Sequence, residues 1–113
     1  MWEILTVEVF NEWFLSLNDA EQTDVLASIH LLEVRGPQLG RPYVDTLEGT
    51  TVSNLKELRI QHQGRPYRVF FAFDPVRRAV LLCGGDKTGD KRFYKRMIPV
   101  AEREFKKHLD SSR

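Results

Sequence analysis

The sequence predicts an α+β fold of order β-α-α-β-β-β-α, with a mainly antiparallel sheet and helices packed on one of its faces. Three observations predict it. Apolar residues recur at helical spacing twice in the first third and once near the C-terminal end. Between residues 55 and 87 the pattern changes to short runs rich in aromatic and β-branched residues. Glycine, proline and Asn18-Asp19 punctuate the chain between these blocks. With 113 residues, 42% of them hydrophobic and 29% charged, the chain reads as one globular domain.

Residues 1–6 are the first predicted strand, with Trp2, Ile4 and Thr6 alternating with Glu3 and Leu5. A helix over about 7–17 follows, because Phe10, Trp13, Phe14 and Leu17 share one helical stripe. Asn18-Asp19 ends it. Asp19 is expected to cap a second helix, with Gln22 three residues on. Val25, Leu26, Ile29 and Leu32 form its apolar side, and Gly36-Pro37 stops it. Residues 36–54, rich in Gly, Pro and Thr, read as a long connection with room for a short segment at 43–47. Three strands are expected at 55–62, 67–74 and from Ala79 to Cys83 or Lys87, the last two joined as a hairpin by Asp74-Pro75 and Arg77-Arg78. Gly84-Gly85 predicts a kink or a close backbone approach. Phe93, Met97, Ala101 and Phe105 then mark one helical element, with Asp90 as its cap and Pro99 inside it as a kink.

The charge is unevenly placed. Residues 1–49 hold two bases against nine acids, a balance of −7, and residues 50–113 hold fifteen bases against seven acids, a balance of +8. An electropositive face, of the kind that binds nucleic acid, is the expectation. The stretch LKELRIQHQGRPYRVFF, residues 55–71, shows where it lies. Side chains alternate along a strand, so Lys56, Leu58 and Ile60 point one way, and Glu57, Arg59 and Gln61 the other. In the next strand Arg68 shares a face with Phe70 and Ala72, opposite Tyr67, Val69, Phe71 and Phe73. Arg59 and Arg68 are therefore expected on the sheet surface that the helices leave open. Lys87, Lys91, Arg92, Tyr94, Lys95 and Arg96 are expected to rim it.

Other chemistries find little support. His30, His62 and His108 are far apart and lack zinc-site spacing. GGDKTGDK lacks the glycine spacing of a phosphate-binding loop. Cys83, the only cysteine, lies in an apolar run and has no evident histidine partner. The N-terminal residues lack a basic segment and no apolar run reaches the roughly 18 residues of a membrane span, so a cytoplasmic protein is expected.

The segments LKELRI (55–60), YRVFFAFD (67–74) and GGDKTGDKRFYKRMIPVAEREF (84–105), in this order, resemble the RelE/ParE superfamily of toxins from type II toxin–antitoxin systems, and within it the HigB-like branch. The resemblance covers nearly the whole chain. It implies a metal-independent, cofactor-free endoribonuclease that cuts messenger RNA in the ribosomal A site and so inhibits translation. It implies that Arg68 holds the scissile phosphate. Lys87 would stabilise transition-state charge or protonate the leaving oxygen, and Tyr94 would lie near the attacking 2′-hydroxyl. Lys56, Arg59, Lys91 and Lys95 would add RNA contacts. A cation cluster is expected to lower the pKa of the lysine and tyrosine it surrounds. The implied partners are a helix-turn-helix antitoxin of HigA type, the ribosome with its message, and operator DNA through the antitoxin complex. ParE-like members of the same fold act instead by binding DNA gyrase, which is the rival reading.

Overall fold

The computed structural model describes residues 1–112. The elements are β1 (Ile4–Thr6), α1 (Glu8–Leu15), α2 (Asp19–Arg35), a 3-10 turn (Gly36–Gln38), β2 (Val44–Thr46), β3 (Lys56–His62), β4 (Arg65–Phe73), β5 (Ala79–Asp86) and α3 (Phe93–Ser111). The five strands lie in the order β1-β5-β4-β3-β2. Only the β1–β5 pair is parallel, and the other three pairs are antiparallel. The α+β class and the mainly antiparallel sheet are as the sequence predicts. The long connection supplies one additional short strand, β2, which pairs Asp45 with Glu57.

The placement of the helices differs from expectation. They do not share one face. α1 and α2 pack on the face carrying Leu58, Ile60, Tyr67, Val69, Phe71 and Leu81, joined by Phe10, Val25 and Leu32. α3 covers part of the opposite face, where Phe93, Ala101 and Phe105 meet Phe70, Ala72, Val80 and Leu82. The physical reason lies in the strands. β4 and β5 are apolar on both sides, so a sheet covered once would leave Phe70, Val80 and Leu82 in water. A β-bulge between Phe70 and Phe71 adds to this, pairing Phe70 with Cys83 and Phe71 with Leu81. Leu82 and Cys83 thus both join the α3 side.

Local signals explain the joints. Asn18, one residue earlier than expected, caps α2: its side chain accepts from the Glu21 N–H at 2.8 Å, and Glu21 accepts from the Asn18 N–H at 2.9 Å. β3 and β4 are joined by Gln63 and Gly64 alone, both at positive φ (50° and 78°), as a two-residue hairpin turn of matching twist requires. Asp90 does not cap α3 directly; its carboxylate accepts from the Arg92 N–H at 3.0 Å, just before the helix. Gly84 and Gly85 do mark close approaches. A β-carbon on Gly84 would lie 2.4 Å from the Trp13 ring, and one on Gly85 would lie 2.9 Å from Phe93 Cε1. The Gly85 contact brings the start of α3 against the sheet.

Candidate active site

α3 begins at Phe93 and runs away from the β3–β4 turn, so it covers only one part of its face of the sheet. On the uncovered part, strand alternation and register bring together Glu57 and Arg59 from β3 with Arg68 from β4, which pairs with Arg59 on one side and Gly85 on the other. Tyr94, in the first turn of α3, reaches over them. Its ring stacks on Phe70 at 6.0 Å and meets Phe93 edge-on at 5.4 Å. Lys87 follows β5, held by its N–H donating to the Pro66 carbonyl at 3.0 Å. Its Nζ sits 5.3 Å from the Tyr94 ring centre.

Glu57 is the hub. It is 2% exposed. Its Oε1 accepts from the Tyr94 hydroxyl at 2.6 Å and lies 3.5 Å from Arg68 Nε. Its Oε2 accepts from Arg59 Nε at 3.1 Å. Arg59 also reaches Asp45 at 3.3 Å. Arg68 is 8% exposed, and its Nη1 donates to the Tyr67 carbonyl at 3.0 Å. Its buried Nε has no hydrogen-bond partner among the described residues. The Glu57 carboxylate 3.5 Å away is its ion-pair partner, at a distance too long for a well-made hydrogen bond.

The electrostatics of Tyr94 run against expectation. Its pKa is raised, first by burial and then by the hydrogen bond to Glu57 and that carboxylate's charge; Arg68 pulls the other way and is outweighed. The predicted lowering by cations fails because burial and the Glu57 carboxylate together outweigh Arg68. Tyr94 therefore holds its proton at neutral pH more firmly than a free tyrosine.

Of the residues singled out from sequence, Arg59, Arg68, Lys87 and Tyr94 converge. Lys56 does not: it faces the α1–α2 side of the sheet, where its Nζ donates to Thr46 Oγ1 at 2.9 Å. Lys91 is exposed in the turn before α3, and Lys95 is exposed beside Arg92 and Arg96 on the first turns of the helix. Both lie outside the cluster. Each histidine has its own acid. His30 lies 3.4 Å from Glu33, His62 Nδ1 is 2.5 Å from Asp24, and His108 Nε2 is 2.9 Å from Asp74. His62 is buried at the end of β3 on the α2 side, outside the site. A surface hollow of about 470 Å3 lined by Trp2, Val34 and Arg77 lies at the other end of the sheet and touches none of these groups. Sequence reading placed Glu57 on the right face but gave it no role. The signal was the Glu57–Arg59 pair, two residues apart on one face of a strand.

The family described as Phage derived protein Gp49-like matches residues 12–106. The chain is 43% identical over 109 residues to the protein named "Putative toxin HigB3" of Mycobacterium tuberculosis (strain ATCC 25618 / H37Rv), covering 96% of this chain and 94% of that one. It is 42% identical over 105 residues to "Putative toxin HigB2" of the same organism, covering 91% of this chain and 52% of that relative, so it spans about half of the latter's length. No solved structure matches it significantly. The chain belongs to the Gp49-like family and, within the RelE/ParE superfamily, to the HigB-like toxins of toxin–antitoxin systems.

Proposed function

We propose that this HigB-like toxin is a ribosome-dependent endoribonuclease that cleaves translated messenger RNA without a metal. The observation that carries the reading is convergence: strand register and the first turn of α3 bring three bases, Arg59, Arg68 and Lys87, around the Tyr94 phenol at the edge of an open shelf. Three bases against the two carboxylates of Glu57 and Asp45 leave net positive charge for a phosphodiester. Arg68 holds the scissile phosphate, and Arg59 and Lys87 offset the charge that grows on its oxygens. Tyr94 stands by the attacking 2′-hydroxyl. Lys91 and Lys95 meet the RNA backbone farther along. Lys56, on the other side of the sheet, contributes nothing to this contact. The shelf is open and does not orient a flexible strand by itself, so the ribosome supplies the alignment of attacking and leaving oxygens.

The partners follow from the same reading. A toxin of this kind has a cognate antitoxin, here of the helix-turn-helix type, and the pair binds operator DNA through it. Among the described residues no helix is long and apolar enough to cross a membrane, and a cytoplasmic site of action fits a ribosomal substrate. The test is cell-free translation with purified protein, followed by primer extension with and without ribosomes. Cuts that appear only on translated message and vanish in Arg68→Ala are expected. Intact message with unimpaired translation overturns the reading and directs the next assay to gyrase supercoiling.

A further inference from the structure

We infer that Glu57 is the proton acceptor of the cleavage, taking the proton of the attacking 2′-hydroxyl through the Tyr94 hydroxyl. The inference rests on the nuclease reading above. Attack by a 2′-hydroxyl needs a group to receive its proton. Arginine, lysine and tyrosine side chains ordinarily carry theirs at neutral pH, whereas a carboxylate does not. Burial and Glu57 hold the Tyr94 proton more firmly still, so Tyr94 cannot serve as a base unless it passes its own proton on as it receives one. Glu57 Oε1 is 2.6 Å from that hydroxyl. At 2% exposure, Glu57 communicates with a bound strand through Tyr94. The charged and titratable groups around it are Arg59 on β3, Asp45 across the ladder on β2, Arg68 on β4, and Tyr94 on α3 with Lys87 over its ring.

The step balances. As the 2′-oxygen bonds to phosphorus, its proton moves to the Tyr94 oxygen and the Tyr94 proton moves to Glu57 Oε1. The bond from phosphorus to the 5′-oxygen breaks, and that oxygen takes a proton from the Lys87 ammonium. The products are a 2′,3′-cyclic phosphate and a 5′-hydroxyl, and Glu57 and Lys87 regain their starting states by exchange with water. Nothing is oxidised or reduced. Arg59 and Arg68 keep their protons throughout and hold the phosphate.

A purely structural role, as counterion to two arginines, gives different results. Glu57→Gln keeps an acceptor for the Tyr94 hydroxyl but removes both the ability to take its proton and the charge that Arg59 and Arg68 pair with, so the pH profile, and not the rate alone, separates the two roles. Single-turnover cleavage on programmed ribosomes is measured for wild type, Glu57→Gln, Glu57→Asp, Tyr94→Phe and Glu57→Gln/Tyr94→Phe over a range of pH, with circular dichroism as the check on folding. Glu57→Gln is expected to be slower by about 10²–10⁴-fold and to lose the acid limb of the pH–rate profile. Glu57→Asp is expected to keep that limb and recover part of the rate. The double variant should be no slower than the slower single one, because the two residues act as a unit. A folded Glu57→Gln with the wild-type rate, or with a reduced rate and an unchanged acid limb, overturns the inference and leaves the nuclease reading standing. Wild-type protein that leaves the message intact overturns both. Should Glu57→Gln fail to fold, an acid limb that persists in Tyr94→Phe overturns the relay on its own.

Discussion

On the α1–α2 face of the sheet, Tyr67 donates a hydrogen bond to Glu21 while Arg65 lies 5.3 Å from its ring centre; on the other face, Tyr94 donates to Glu57 beside Arg68. The same three residue types meet in both places, with different results. Around Tyr67 the polar groups are all engaged. Glu21 uses its second oxygen in the α2 capping box, and Arg65 is held by Asp86 at 3.2 Å. Tyr67 itself is 1% exposed. Around Tyr94 the set is looser, because Arg68 Nε meets Glu57 as an ion pair at 3.5 Å and makes no hydrogen bond among the described residues. A fully hydrogen-bonded network fastens a helix to a sheet, and one held by a longer ion pair has more freedom to rearrange.

The largest test of this contrast exchanges arginines. Arg68→Ala should lower ribosome-dependent cleavage by about 10²–10³-fold, the range for loss of one transition-state donor, with the far-ultraviolet spectrum unchanged. Arg65→Ala should leave cleavage per folded molecule at the wild-type level. It should also change stability by no more than about 1 kcal/mol, since Arg65 is partly exposed. Equal losses in both variants would erase the distinction between the two faces.

Tyr67→Phe comes next. It removes a buried hydrogen bond, so urea denaturation should show a loss of about 1 kcal/mol, while cleavage by the folded protein is unaffected. Tyr94→Phe should show the reverse order of effects. A Tyr67→Phe protein that is stable and inactive would place the chemistry on the wrong face.

Alkaline titration sharpens the comparison further. Burial first, and then Glu21, push the Tyr67 phenol up to about 12. Its folded value exceeds its unfolded value of about 10. The stabilisation is therefore complete below pH 10 or so and is lost as pH rises through about 12. Phenolate absorbance should show a late-titrating tyrosine that Tyr67→Phe removes.

The smallest expected effect is in acid and tests the turn at the far end of β4. Burial raises the Asp74 carboxyl, but hydrogen bonds from His108 and Arg78 outweigh it, and the net pKa is lowered. A folded value below the unfolded one stabilises above the ordinary carboxylate pKa of about 4 and ceases to do so as pH falls through the folded value. The stability gap between wild type and Asp74→Asn should close in that window. A gap that persists in strong acid would show that the carboxylate's charge is not what the turn uses.

What the sequence disclosed was periodic, and what it concealed depended on partners distant in the chain. Alternation put Arg59 and Arg68 on one face, and the structure agrees. Alternation also put Lys56 with Leu58 and Ile60, away from that face. Family likeness alone argued for Lys56 at the site, and the structure puts its side chain on the α1–α2 face that alternation gives it. The apolar stripe of α3 was legible, but a stripe does not say which side of a sheet it will meet. The apolar run at Phe70, Ala72, Val80 and Leu82 carried that information and needed the β4–β5 register to be read. Asn18 and Asp19 are both good caps; Glu21 decided for Asn18 by completing the reciprocal pair. Glu57 escaped notice because an acid between bases in a strand looks like ordinary surface until Tyr94, 37 positions on, is folded over it.

Gly84 and Gly85 leave the sheet bare where Trp13 presses from one side and Phe93 from the other. At that point the two layers are separated by backbone alone. A methyl group at position 85 would displace the Phe93 ring, and the next residue is the one that carries the phenol. The placement of Tyr94 is thus adjustable from a residue outside the Glu57–Arg68–Tyr94 cluster. Gly85→Ala would act as a dose control, giving a weakened allele that a cell tolerates with less of its antidote.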